Sequence, residues 1–191
     1  MNLFLAVFIV LGSFSSCASN NSSKEVKVVE SVDLERYLGK WYEVASIPQR
    51  FQKKCTGNAA AEYSMDDDLI KVVNSCDTKG DRSVAEARAK VTDSKTNAKL
   101  KVTFVKVFTW LFFAGGDYWI LDLDEDYTFA VIGDSESKYG WVLSREPVID
   151  MEKLKRAEKV FKENGYDTCK VLTSIQDKGF RDRKPLCEVV N

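Results

Sequence analysis

The chain has 191 residues, of which 45% are apolar and 30% charged, with three prolines and ten glycines. This is globular composition, long enough for one domain with a real core and short for two. The 28 Lys and Arg against 29 Asp and Glu leave a net charge of -1, which excludes a dominant basic field and with it nucleic acid as an expected partner. Histidine is absent, so His-based triads, His-ligated zinc and imidazole acid–base chemistry are excluded, and no cofactor or metal is expected.

In chain order the first element is a leader. Leu3 to Leu11 is an unbroken run of nine apolar residues, too short to cross a bilayer but suited to the core of a signal peptide over residues 1–16. Phe14-Ser15-Ser16-Cys17 follows and resembles the lipobox of bacterial lipoproteins, with Phe14 where leucine is usual. Cys17 is then the lipidated, palmitate-bearing N-terminus, and a plain secretory signal is the alternative. Residues 17–33 read as lipidated N-terminus and linker, 34–180 as the folded domain and 181–191 as a tail. Sequons at Asn20 and Asn21 matter only in a eukaryotic secretory pathway.

From Trp41 onward, alternating apolar and polar residues predict strands at about 41–47, 57–64, 69–75, 84–92, 99–105, 118–123, 128–133 and 140–144. Acidic turns separate them, as at Asp66-Asp67-Asp68. The period changes after Pro147: Met151, Leu154, Ala157, Val160 and Phe161 form a stripe spaced by three or four, closed by Asn164-Gly165, which predicts one helix of about fourteen residues. A short strand near 170–174 follows. The expected fold is all-β, an eight-stranded up-and-down antiparallel barrel with one C-terminal helix on its wall.

Strand faces describe the inside. Ala85, Ala87 and Ala89 share one face of their strand, Leu100, Val102 and Phe104 one face of the next, and Ala59, Ala61 and Tyr63 one face of an earlier one. Small inward residues favour a ligand cavity over a solid core, and Tyr118, Phe129 and Trp141 are counted with the lining. If those larger side chains fill the space, the barrel is solid instead. The segment 105–116 is too apolar for an ordinary loop, with four aromatics between Phe108 and Phe113. It reads as a ligand rim, a homodimer contact through 108–113, a membrane-touching tip or a small local core.

With Cys17 assigned to lipid, Cys55, Cys76, Cys169 and Cys187 remain as an even set in an exported chain. Folding the hairpin at Asp66 to Asp68 brings Cys55 opposite Cys76, which leaves Cys169 with Cys187. Four free buried thiols are the alternative.

Three motifs then carry a resemblance. Gly39-Lys40-Trp41 matches the G-x-W signature of the lipocalins, with Pro48-Gln49-Arg50-Phe51 after it. The stretch 117–127 resembles their second conserved region and Trp141 to Pro147 their third. The chain resembles the bacterial outer-membrane lipocalins and their apolipoprotein D-like relatives. That resemblance implies a calyx with Gly39, Trp41 and Arg145 as structural residues at its closed end, Arg145 lying over the Trp41 ring. It implies binding of a small hydrophobic molecule, for the bacterial branch a fatty acid or lysophospholipid, at an outer membrane reached through a lipid anchor. Secretion, as in the apolipoprotein D-like branch, is the alternative, and that branch implies a rival disulfide, Cys55 with Cys187. Some lipocalins are enzymes, one using a free cavity cysteine; here Cys55 has a partner in Cys76 and no histidine can activate it, so no catalytic residue is assigned.

Overall fold

The structure, a computed structural model, describes residues 25–191. The leader, Cys17 and the sequons lie outside the described residues. A one-turn helix, α1 (Leu34–Tyr37), is started by the Asp33 carboxylate accepting from the Arg36 N–H. Eight strands follow: β1 (Gly39–Ser46), β2 (Gly57–Asp66), β3 (Leu69–Asp77), β4 (Arg82–Val91), β5 (Lys99–Thr103), β6 (Gly116–Leu123), β7 (Phe129–Gly133) and β8 (Trp141–Ser144). Then come helix α2 (Met151–Glu163), a short β9 (Leu172–Thr173) and a final turn of helix, α3 (Leu186–Val189).

Neighbouring strands pair antiparallel in sequence order, and β1 pairs with both β8 and β2, which closes the eight into a barrel. Closure leaves the barrel itself without a free edge. The expected eight strands and single long helix are present, α2 covering 13 residues. Tight turns place acids and amides in left-handed backbone, Asp67 at φ 56 and Asn97 at φ 56 among them, which short polar side chains tolerate.

The register fixes which residues face inward. Trp41 lies opposite Ala61, Tyr63 opposite Val72, Val72 opposite Ala87, Ala89 opposite Val102 and Leu100 opposite Tyr118. A bulge between Glu43 and Ala45 shifts the alternation of β1, so Glu43 pairs with Leu143 and Ser46 with Trp141, both on the lumen side.

Two cores result. One fills the lumen towards the α1 end with Tyr37, Trp41, Tyr63, Ile70, Leu100 and Ile120. The other lies outside the barrel wall, where Leu154, Ala157 and Phe161 of α2 cover Val44, Phe129, Val131 and Val142. Phe129 is therefore corrected. It pairs with Ser144, whose other neighbour is the outward Tyr42, and it is fully buried under the helix. Its strand is buried on both faces, so hydrophobicity alone could not tell inside from outside.

Both disulfides form as the hairpin argument expected, Cys55–Cys76 and Cys169–Cys187. The segments read as linker and tail are in part structural: Val26 and Val32 are buried, Val29 N–H donates to the Ile120 carbonyl, and Leu186 is wholly enclosed in the outer core.

Candidate functional site

The two ends of the barrel differ. At the base, Gly39 has φ +90, and a Cβ there would meet Arg145 Nη1 at 3.2 Å. Only glycine suits that backbone and that approach. Arg145 sits 4.0 Å from the centre of the Trp41 ring and donates to the carbonyls of Tyr127, Lys40 and Arg36 at 3.1, 2.9 and 2.8 Å. Trp41 Nε1 donates to the Tyr37 carbonyl. Burial pulls the Arg145 guanidinium below its ordinary value.

Above Trp41 three tyrosines meet. Tyr118 shares hydrogen bonds with Tyr37 at 2.7 Å and with Tyr63 at 3.0 Å. Burial pushes Tyr63 up to about 12 and holds the other two well above their ordinary range, so all three hydroxyls stay neutral. Ala87 and Ala89 face this cluster and are buried with it. The space beside Ala89 is about 10 Å³, no more than one water needs, and Ala87 has no exposed surface at all. Small residues here make room for tyrosine rings and not for a ligand, which corrects the expectation for Ala87 and Ala89.

Towards the mouth the lumen opens. Ala85 shares the inward face, opposite Asn74, yet is exposed. Ala61, Asn74 and Trp141 are also inward and partly exposed, whereas Val102 and Tyr118, though partly exposed, line the small void beside Ala89. Leu100 is buried lower down. Phe104 lies just past β5 at the rim, 47% exposed, its ring 6.5 Å from that of Phe51.

Ala59 lines a side recess of about 60 Å³ together with Glu43, Ser46, Gln52, Lys53, Ser174 and Arg183, among others. The recess exists because β1 and β2 part company: β1 pairs with β2 over Gly39 to Tyr42, then with β9 over Ala45 and Ser46. Gln176 bridges the gap, donating to the carbonyls of Glu43 and Ala59.

The apolar loop lies at this same end. Phe108 is fully exposed, Phe113 86% and Val107 63%. Trp110 is less exposed than these: its ring lies over Arg88 of the outer wall, 4.9 Å away. Arg88 is itself tied to Asp66 and Glu86. A cation on the neighbouring strand draws the ring off the tip.

Sequence reasoning missed Glu43, Asn74 and Gln52. Glu43 was accessible, since two residues beyond Trp41 on a strand is the same face. Gln52 was not, because it sits in a short 3-10 turn (Arg50–Gln52) whose direction depends on the Cys55 bond and on β9. Among the described residues no cluster of potential metal ligands occurs, and no helix is long and apolar enough to cross a membrane.

The family model described as a lipocalin-like domain matches residues 32–176. The chain is similar to temperature-induced lipocalin-1 of Arabidopsis thaliana, 40% identical over 156 residues that cover 80% of this chain and 84% of the relative. It is also similar to the outer membrane lipoprotein Blc of Vibrio cholerae, 32% identical, covering 87% and 96% respectively. Among solved structures, insecticyanin from the tobacco hornworm Manduca sexta superposes with a TM-score of 0.64 over 84% of this chain and 93% of that one. At 19% identity this last likeness is one of fold.

Proposed function

The chain belongs to the lipocalin-like family, and from that premise we propose that it binds, stores or carries a small hydrophobic molecule in the mouth half of its barrel. A fatty acid or lysophospholipid is the ligand class, and the bacterial outer membrane, reached through lipid on Cys17, is the place. The observation that carries the reading is Ala85, inward by register and yet exposed: the upper lumen is open to a guest where the lower lumen is packed. An acyl chain laid against Ala61, Ala85 and Trp141 leaves water, and each buried methylene contributes about 0.8 kcal/mol. The relatives named as outer membrane lipoproteins support the location, and secretion is the alternative supported by apolipoprotein D relatives.

A carrier must also meet its source. Phe108, Val107 and Phe113 at the mouth support contact with a bilayer, and a homodimer through 108–113 is the competing use of the same tip. Catalysis is not part of the reading, since Cys55 and Cys76 are bonded to each other and offer no thiolate.

Native mass spectrometry of the protein extracted from its own cells tests this. A co-purifying single-chain lipid and the mass of a lipidated N-terminus at Cys17 are expected. A barrel that takes up no amphiphile would refute carriage, and a soluble product cleaved elsewhere would refute the anchor.

A further inference from the structure

The apolar loop at the mouth is a built projection. Lys106 and Trp110 pair across an antiparallel bridge, and the Leu111 N–H donates to the Val105 carbonyl at 3.0 Å. Phe108 is thereby the apex of a small hairpin, with Phe113 further along the same loop and nearly as exposed. Phe51 extends this apolar rim from the loop after β1, since its ring meets that of Phe104.

Cations stand among these rings. Arg50, Lys53 and Lys54 flank Phe51, Lys106 belongs to the hairpin, and Arg183 joins them by donating to the Cys55 carbonyl at 3.3 Å. All five are exposed, and among the described residues none forms an ion pair. The acids Asp77, Asp117 and Asp182 at this end are each held by a cation of their own, Arg82, Lys101 and Lys184. The base carries the opposite sign: Asp33 and Glu35 at α1, Asp67 and Asp68 in the β2–β3 turn, and Glu125 and Asp126 in the β6–β7 turn are exposed and likewise outside these pairs. A net charge of -1 thus conceals a separation along the barrel, which turns a molecule mouth-first in the field of an anionic surface.

The chain also enters the described fold at the mouth end. Lys27 N–H donates to Asn164 Oδ1 at 2.7 Å, and the Asn164 carbonyl accepts from Ser137 Oγ, in the mouth-side turn between β7 and β8, at 2.7 Å. Glu25 lies eight positions after Cys17, at most about 28 Å of chain, so lipid on Cys17 would hold this end nearest the bilayer.

Resting on the reading of the tip as a bilayer contact, we propose that the mouth docks on a bilayer rich in anionic phospholipid, Phe108 and Phe113 entering the headgroup layer while Arg50, Lys53, Lys54, Lys106 and Arg183 face its phosphates. A zwitterionic bilayer offers the rings the same apolar phase but no field, whereas each cation close to an anionic surface strengthens binding about fivefold. A second copy docked tip to tip would bring like charges together. The open lumen then lies against the source of its amphiphile.

The test uses the chain from residue 17 onward with Cys17→Ser, which keeps every described residue and carries neither leader nor lipid. Its cosedimentation with vesicles of phosphatidylcholine alone is compared with that for equal parts of phosphatidylcholine and phosphatidylglycerol. Binding at least tenfold tighter to the anionic vesicles is expected, most of it lost at about 0.5 M salt, where screening cuts the reach of the field to about 4 Å. Lys54→Gln/Lys106→Gln should bring the preference within threefold, whereas Lys40→Gln/Lys95→Gln, an equal loss of charge at the base, should leave it unchanged. Phe108→Ser/Phe113→Ser should weaken binding to both vesicles at least tenfold. All three variants should keep their melting curves and their affinity for a fluorescent fatty acid in solution. Equal binding to the two vesicles, an equal loss of preference in the base variant, or a tip that instead joins two copies in sedimentation overturns the inference. No binding to either vesicle overturns the tip reading and the inference with it, and absence of fatty acid binding in solution overturns the lumen reading alone.

Discussion

At the base of the barrel Arg145 spends its guanidinium on the Trp41 ring and on backbone carbonyls of α1, β1 and the β6–β7 turn, whereas at the mouth Gln52 keeps a buried oxygen with no partner and Phe108 stands wholly in solvent. One end is saturated. The other holds unmet hydrogen-bonding and apolar surface, which a folded chain retains at a cost. The same division runs along β4, where Ala85 is exposed and Ala87, two residues further on, has no exposed surface. A ligand site in this barrel is therefore not the whole inner face but its upper part, and stability and binding should separate by height.

Changes at the saturated end and in the outer wall should cost stability alone. Phe129→Ala, beneath α2, should have the largest effect, about 3–5 kcal/mol by denaturant titration, with amphiphile affinity per folded molecule unchanged. A loss of affinity without a loss of stability would put Phe129 back in the lumen. Arg145→Ala removes a cation-π contact and several hydrogen bonds, and about 1–3 kcal/mol is expected, again with binding retained. If that variant were fully stable but unable to bind, base and mouth would have to be exchanged.

A smaller effect, dependent on pH, should come from Asp124. Burial pushes its carboxyl up, but the Thr128 hydroxyl and amide, the Phe129 amide and Lys153 of α2 outweigh this and hold it below the usual carboxylate range. Because the folded value is the lower one, its contribution is present above the unfolded pKa and is lost as pH falls through the folded one. Asp124→Asn should cost about 1 kcal/mol at neutral pH and flatten the acid limb of the stability profile below the ordinary carboxylate range. An unchanged acid limb would mean that Asp124 does not tie the base turn to the helix.

How much of this was legible in the sequence depends on how local the cause is. Strand order, helix and disulfides rest on alternation, the stripe from Met151 to Phe161 and a hairpin that sets Cys55 opposite Cys76, all short-range patterns. The inward faces of β2, β4 and β5 follow from period two as well. What alternation cannot give is depth: Ala85 and Ala87 are equivalent in pattern, and only the tyrosines arriving from α1, β2 and β6 separate them. Phe129 failed because both faces of β7 are buried. Which aromatics of the 108–113 loop stay exposed was open in the sequence, because Arg88, which holds Trp110, lies on another strand. The recess is less legible still, since it needs the bulge in β1 and the insertion of β9, which bring Ser174 to a residue 131 positions away.

The division by height is tested most directly by titrating a fluorescent single-chain fatty acid into Ala85→Trp and Ala87→Trp, each beside its thermal melt. Ala85→Trp should fold with an unaltered melting curve and lose at least tenfold in affinity, about 1.4 kcal/mol, because the ring enters open lumen. Ala87→Trp should instead overpack the tyrosine cluster and cost about 1–3 kcal/mol of stability. Unchanged affinity in a stable Ala85→Trp protein would contradict the placement of the ligand in the mouth half of the barrel.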